Sequence, residues 1–253
     1  MKIMEEMSRS QSESDSVGVS LVKREVRKMA GETSTGKCHL CGGTFDKSEM
    51  TKHLKSCKQK EGPESASSGR GSQKKDVFHL LVEGRHSPEY WMHIELAADA
   101  GLKVLDNFLR DTWLECCGHL SMFSIQGKNY SVADMGEFDD ETMDARLGDV
   151  LSPGMKFSHE YDFGSTTHLT LKVISQEQKQ VKGKDARILA RNDPPSFACV
   201  SCGKPATQIC TECVCSDEGC LCEKCAAEHA CGEEMLLPLV NSPRAGVCGY
   251  TGD

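Results

Sequence analysis

LKVLDNFLRDTWLECCGHLSMFSIQGKNYSV, residues 102–132, contains the change of period on which the fold turns. Leu102, Leu105, Phe108, Leu109 and Trp113 recur at the i, i+3, i+4 spacing of one apolar helix face. Beyond Cys117 the pattern is that of strands. HLSMFSIQGKNYSV (119–132) and KFSHEYDFGSTTHLTLKVIS (156–175) read as strands with turns between them, and RILAR (187–191) as a last short strand. Upstream, VFHLLVEG (77–84) and YWMHIELA (90–97) read as two more. Strands, one main helix and more strands predict an α+β fold, with the helix on one face of a largely antiparallel sheet.

Working outward, this domain is expected over residues 76–191, and NDPPSF (192–197) interrupts its periodicity. On the N-terminal side, 61–75 is a Gly/Ser/Pro/Lys linker and 37–60 a compact Cys/His unit. Residues 1–36, rich in Ser, Glu and Lys, read as a disordered tail. Within the tail, Val17, Leu21, Val22, Val26 and Met29 have the spacing of a marginal helix. Residues 192–253 form a cysteine-rich module and tail. The finger-sized unit is thus expected on a flexible arm, and the two small modules are expected to flank the central sheet.

The chain has 15 cysteines. No apolar run serves as a signal peptide or spans a bilayer, so a cytoplasmic location is expected. Disulfides are rare in reducing compartments, which turns the cysteines toward metal. KCHLCGGTFDKSEMTKHLKSCK presents Cys38-x2-Cys41-x11-His53-x3-Cys57, close to a small zinc finger with Cys in place of the last His. Gly42 and Gly43 suit a tight knuckle after the first pair. His53 and Cys57 lie about one helical turn apart, so four ligands can close a tetrahedron on zinc. Asp46 and Glu49 suit a helix N-cap and its partner, and Phe45, Met50 and Leu54 a small core.

CVSCGKPATQICTECVCSDEGCLCEKC, residues 199–225, holds three further C-x2-C pairs, followed by His229 and Cys231. The pairs are Cys199/Cys202, Cys210/Cys213 and Cys222/Cys225. Eight ligands suffice for two closed, structural zinc sites, and the chain as a whole is expected to hold about three zinc ions. Cys215 and Cys220 are left over as bystanders. The spacing resembles the B-box and related cross-braced zinc modules. That resemblance implies one site from Cys199, Cys202, Cys222 and Cys225, and another from Cys210, Cys213, His229 and Cys231. B-boxes usually end in two histidines set further apart, so Cys248 stands as an alternative last ligand.

Net charge is −8, unevenly spread. Residues 1–75 carry 15 Lys/Arg against 10 Asp/Glu, and the remainder 15 against 28. Lys47, Lys52, Lys55, Lys58 and Lys60 make the finger basic, which suits weak contact with nucleic-acid phosphates. The acidic module from 199 onward does not suit it. A protein partner is the preferred expectation, with no membrane.

YWMHIELAADAGLKVLDNFLRDTWLECCGHLSMFSI followed by YDFGSTTHLTLKV resembles the plasmid open-reading-frame-three-like domain over about residues 76–191. The specific parts are the Trp91 strand, the segment with Trp113, His119, Leu120 and Phe123, and Tyr161-Asp162-Phe163-Gly164. The tail ending LLPLVNSPRAGVCGY is similar to tails of archaeal members. The resemblance implies an α+β fold, an archaeal-type cytoplasmic protein and no established activity. Many relatives carry an acidic residue and a tryptophan after YDFG, where this chain has Ser165, Thr166 and Thr167.

A catalytic reading gathers His119, His159, His168, Glu160 and Asp162 into one polar cleft. The chain lacks HExxH, P-loop, GxSxG and GxGxxG motifs. Cys116 and Cys117 read as buried core thiols, His119 as a structural histidine, and Asp162-Phe163-Gly164 as a turn with Gly164 at positive φ. No residue is assigned a catalytic role, and binding work is preferred to catalysis.

Overall fold

The computed structural model describes residues 34–57, 73–132, 141–181, 185–216 and 218–252. The proposed tail helix, most of the linker, Lys58 and Lys60 lie outside them. Along the chain run β1 (Thr35–Cys38), β2 (Thr44–Asp46), α1 (Lys47–Ser56), β3 (Gln73–Gly84), β4 (Ser87–Ala97) and α2 (Leu102–Leu109). There follow β5 (Ser121–Ile125), β6 (Lys128–Ser131), β7 (Glu141–Thr142), α3 (Leu147–Val150), β8 (Lys156–Tyr161), β9 (Thr167–Val181) and β10 (Arg187–Asn192). The cysteine-rich part contributes β11 (Gln208–Cys210), β12 (Cys220–Leu221), α4 (Glu223–Ala227) and β13 (Leu236–Pro238).

Strands β1–β10 form one mixed sheet in the order β2-β1-β10-β4-β3-β9-β8-β5-β6-β7. Its neighbours are antiparallel except the short parallel pair β6–β7. Strands β11–β13 make a second, three-stranded sheet. The architecture is α+β, with β3 starting inside the segment expected as linker.

Both faces of the large sheet are covered. Phe78, Leu80 and Val82 of β3 and Met92, Ile94 and Leu96 of β4 join Leu102, Leu105 and Leu109 of α2 in the main core. Between them in sequence, Leu81 and Trp91 belong to a second cluster with Leu189 and Ala190 of β10 and Met50 and Leu54 of α1. The helix of the N-terminal Cys/His unit therefore roofs the face opposite α2. This is why β4 reads as a nearly continuous apolar run: from Tyr90 onward its residues are buried on both sides.

In place of a finger on a flexible arm, residues 34–57 extend the central sheet. β1 pairs with β10, Gly36 opposite Asn192 and Cys38 opposite Ala190. Gly36 is needed for this approach. A Cβ there would lie 2.7 Å from the Trp91 ring and closer still to the Arg191 carbonyl oxygen. Trp91 Nε1 donates to Ser34 Oγ at 3.0 Å, and Lys47 ion-pairs with Glu83 at 2.6 Å.

The main helix is shorter than its apolar periodicity suggests. After Leu109 it widens into a π-helical turn, Arg110–Leu114, in which Glu115 N–H donates to the Arg110 carbonyl. The Arg110 guanidinium holds the Glu115 carboxylate at 2.5 Å, fastening the two ends of the turn. The wider turn leaves Trp113 and Leu114 buried and ends the helix just before Cys116. The β5–β6 hairpin turns through Gln126 and Gly127, at φ 51° and 80°.

Residues 241–244 fold back onto the central domain. Asn241 exchanges side-chain and carbonyl hydrogen bonds with Asn192 and accepts from Arg191 through its own carbonyl. Ser242 Oγ donates to the Trp113 carbonyl at 2.7 Å. Arg244, fully buried, donates to Asp162 at 2.7 Å, to Thr167 Oγ1 at 3.0 Å and to the Ser165 carbonyl at 3.2 Å. Burial works against the charge on Asp162, yet Arg244 and the N–H groups of Ser165 and Gly164 keep its carboxyl below the usual range.

Candidate metal centres

Cys38 ends β1, Cys41 sits on the following turn, and His53 and Cys57 come from α1 and its C-cap. The turn is fixed by two backbone bonds. Gly42 N–H donates to the Cys38 carbonyl at 2.8 Å, and Cys38 N–H to the Gly43 carbonyl at 2.9 Å, with Gly42 at φ 74°. Asp46 Oδ1 caps α1, accepting from Glu49 N–H at 2.8 Å. Met50 and Leu54 point into the sheet, which leaves His53 toward the two cysteines. Cys41 Sγ and His53 Nε2 are 3.3 Å apart, and the Phe45 ring stacks on His53 at 4.1 Å.

The cysteine-rich part repeats the knuckle. Gly203 N–H donates to the Cys199 carbonyl at 2.8 Å, Cys199 N–H to the Lys204 carbonyl at 2.6 Å, and Gly203 takes φ 72°. Cys222 is the N-cap of α4, and Cys225 lies in its first turn. The four sulfurs of Cys199, Cys202, Cys222 and Cys225 lie within 4.8 Å of one another. Cys210, at the end of β11, and Cys213 meet His229 and Cys231 within the same limit. Cys213 Sγ is 3.5 Å from His229 Nε2 and 3.7 Å from Cys231 Sγ. The grouping is interleaved: the first and third pairs together, the second with His229 and Cys231. Cys220 lies in β12 outside these groups, and the Cys215 side chain is not among the described residues.

Thiols crowded this closely resist ionising together. The Cys222 N–H lowers Cys199 to about 6, while the Cys202 thiol pushes Cys225 up to about 12. The Cys231 thiol likewise pushes Cys213 up to about 12, and burial pushes Cys38 up to about 11. A bound dication removes this conflict by stabilising all the thiolates at once. A tetrahedral zinc thiolate, with bonds of about 2.3 Å, has sulfur–sulfur edges of about 3.8 Å. The 3.6 Å between Cys202 and Cys222 and the 3.7 Å between Cys213 and Cys231 fit that figure. The described cysteines are free thiols.

Cys248 belongs to neither set. It lies with Cys116, Cys117 and His119, a fourth group whose ligand atoms fall within 4.8 Å of one another. This corrects three expectations. Cys117 is exposed, and Cys116 is only half-buried against the edge of the main core, just beyond the π-helical turn that ends the helix. His119 is turned to the thiols, its Nε2 2.9 Å from Cys117 Sγ. Asp162, and not Gly164, takes positive φ, at 65°. A short aspartate tolerates it there because Oδ1 accepts from the N–H groups of Gly164 and Ser165. The sequence signal for the fourth group was Cys116-Cys117-x-His119 plus Cys248, until then an alternative ligand for the module, separated by more than half of the chain.

The proposed catalytic cleft divides into three places. His159 is buried in the core against Asp106, Nε2 to Oδ1 at 2.7 Å. His168 faces Glu160 at 3.3 Å across the β8–β9 ladder. His119 Nε2 lies 3.5 Å from Asp162 Oδ2, but that carboxylate is engaged by Arg244. Strand alternation explains the division, since His159 and Glu160 must point to opposite faces.

No family model matches the sequence, and no curated protein does. Among solved structures the chain is similar to a protein of unknown function, MM3350 from Methanosarcina mazei Go1. The alignment covers 46% of this chain and 70% of that one, at 17% identity and a TM-score of 0.40. Among the described residues no helix is long and apolar enough to cross a membrane.

Proposed function

We propose that the chain is a zinc-binding scaffold for protein interaction, working in the cytoplasm as an archaeal-type member of the plasmid open-reading-frame-three-like family. Zinc occupies the finger set, Cys38, Cys41, His53 and Cys57, and both interleaved sets of the cysteine-rich module. The observation that carries this reading is the make-up of those sets. Each offers four Cys or His donors, which fill a tetrahedral zinc and leave no position for water or substrate. Dispersal of His119, His159 and His168 among different surroundings speaks for binding over catalysis.

Nucleic-acid contact through the finger is the second reading, favoured by Lys52 and Lys55, which are exposed on α1. Against it, Lys47 is paired with Glu83, and the apolar side of α1 is spent on the sheet.

Metal analysis of the purified chain tests the zinc reading, and fewer than two zinc ions per chain would sink it. Retention on DNA and RNA at low and moderate salt separates the partner classes. The Lys52→Glu/Lys55→Glu variant keeps the docked finger while reversing its exposed charge. Retention by the parent that this variant abolishes would favour nucleic acid over a protein partner. Retention unchanged by it, or absent in both, would remove the finger from consideration.

A further inference from the structure

We propose that Cys116, Cys117, His119 and Cys248 form a fourth metal site, for a thiophilic dication of the zinc type, that clasps residues 241–250 to the central domain. The donors are three sulfurs and an imidazole nitrogen, the composition of a structural zinc site. Cys116 and Cys117 Sγ are 3.4 Å apart, Cys117 and Cys248 Sγ 3.7 Å, and His119 Nε2 lies 2.9 Å from Cys117 and 3.3 Å from Cys248. These separations are close to the edges of one ligand tetrahedron.

The backbone is shaped to present the four groups. Gly118, at φ 76°, turns the chain between Cys117 and His119, and its N–H is held by Glu115 Oε1 at 2.6 Å. Tyr161 Oη accepts from His119 N–H at 3.3 Å and donates to the same Glu115 oxygen at 3.1 Å. Cys248 occupies the left-handed region at φ 50°, between Gly246 at 80° and Gly249 at 69°. A non-glycine residue there is strained, and ligation of its sulfur would offset the strain. Three thiolates around a dication leave the set anionic, and Arg244 Nη2 donates to Cys116 Sγ at 3.4 Å. Such outer hydrogen bonds hold metal ligands in place.

The site differs from the other three in its reach and its exposure. Its ligands come from segments more than 125 residues apart, and Cys117 and Cys248 are exposed. Metal there ties one part of the chain to another, and exchanges with solvent more readily than metal in the other sets, each of which includes at least one buried cysteine.

The test uses the full-length reduced chain, loaded with zinc and freed of excess. We expect about four zinc ions per chain, falling to about three in Cys248→Ser and, independently, to about three in Cys38→Ser. In the loaded parent, Cys117 and Cys248 resist alkylation despite their exposure. A mild chelator makes them reactive while Cys199 and Cys210 stay protected. Prompt alkylation of Cys117 and Cys248 in the loaded parent, a Cys116–Cys117 disulfide in the reduced preparation, or undiminished zinc in Cys248→Ser would each overturn the proposal. Should Cys248→Ser fail to fold, the alkylation pattern of the parent decides alone. The scaffold reading is independent, since three zinc ions with a reactive Cys117 and Cys248 would leave it standing.

Discussion

At Cys38 and again at Cys199 the chain builds the same knuckle, with the same two backbone bonds and a glycine at nearly the same φ. What lies behind the two knuckles differs. The finger leans on the sheet: Met50 and Leu54 pack with Leu81, Trp91 and Leu189, a core made by the large domain. The cysteine-rich module has a cluster of Cys199, Cys210, Leu221, Cys222 and Ala226, in which most members are candidate metal ligands. One knuckle borrows a hydrophobic core, while the other has little core beyond its own sulfurs. Equal local geometry therefore predicts unequal dependence on metal.

The largest effect falls on the module. Structural zinc contributes an apparent ~10–16 kcal/mol in finger-sized units. Cys222→Ser removes a buried candidate ligand at the N-cap position of α4, and should abolish amide protection throughout β11, β12 and β13. Hydrogen exchange reads this directly; protection that survives loss of zinc would mean that the module has a core of its own. Next is Leu54→Ala, which opens the shared core at a cost of about 2–5 kcal/mol. Finger and sheet should lose stability in one transition with the zinc count unchanged, and two resolved transitions would show the finger to be separable.

Gly36→Ala strikes the seam itself. The added methyl collides with Trp91 and the Arg191 carbonyl, at a cost of about 1–3 kcal/mol. We expect faster exchange of the His39 amide, bonded to the Leu189 carbonyl, with the finger's own ligands still assembled.

The smallest effect is in pH. His93 sits beneath the finger, against His79 at 2.9 Å and Thr51 at 3.3 Å, and burial lowers its pKa from 6.5 to about 3. Between those values the unfolded chain binds the proton and the folded chain does not. The stability this group contributes is thus complete above pH 6.5 and lost as pH falls toward 3, at up to ~1.4 kcal/mol per pH unit. Denaturant melts at pH 6.5 and 5.5, with zinc retention checked, should show a shallower dependence in His93→Gln. An unchanged slope would place the acid sensitivity elsewhere.

Local patterns were readable and distant closures were not. The C-x2-C spacings, the Asp46 cap and the period of α2 depend on neighbours in sequence, and each left its mark there. The seating of the finger was hidden because Trp91 and Leu81 look like ordinary strand residues until β1 is laid beside β10. Cys248 was visible only as an alternative last ligand for the cysteine-rich module, since its neighbours Cys117 and His119 lie some 130 residues earlier, on a turn that a helical period cannot foretell. Reading Asp162 as a simple turn residue likewise missed Arg244, whose 82-residue separation leaves no periodic trace.

That buried guanidinium also bears on how the molecule is made. On the ribosome, the sheet from β1 to β10 is complete in sequence by Asn192, yet the Asp162 loop still lacks its counter-charge. Only when residue 244 has left the tunnel can the carboxylate exchange water for Arg244 and the region around Trp113 close. Until then the sheet is without the contacts that Ser242 and Arg244 make to Trp113, Asp162 and Thr167.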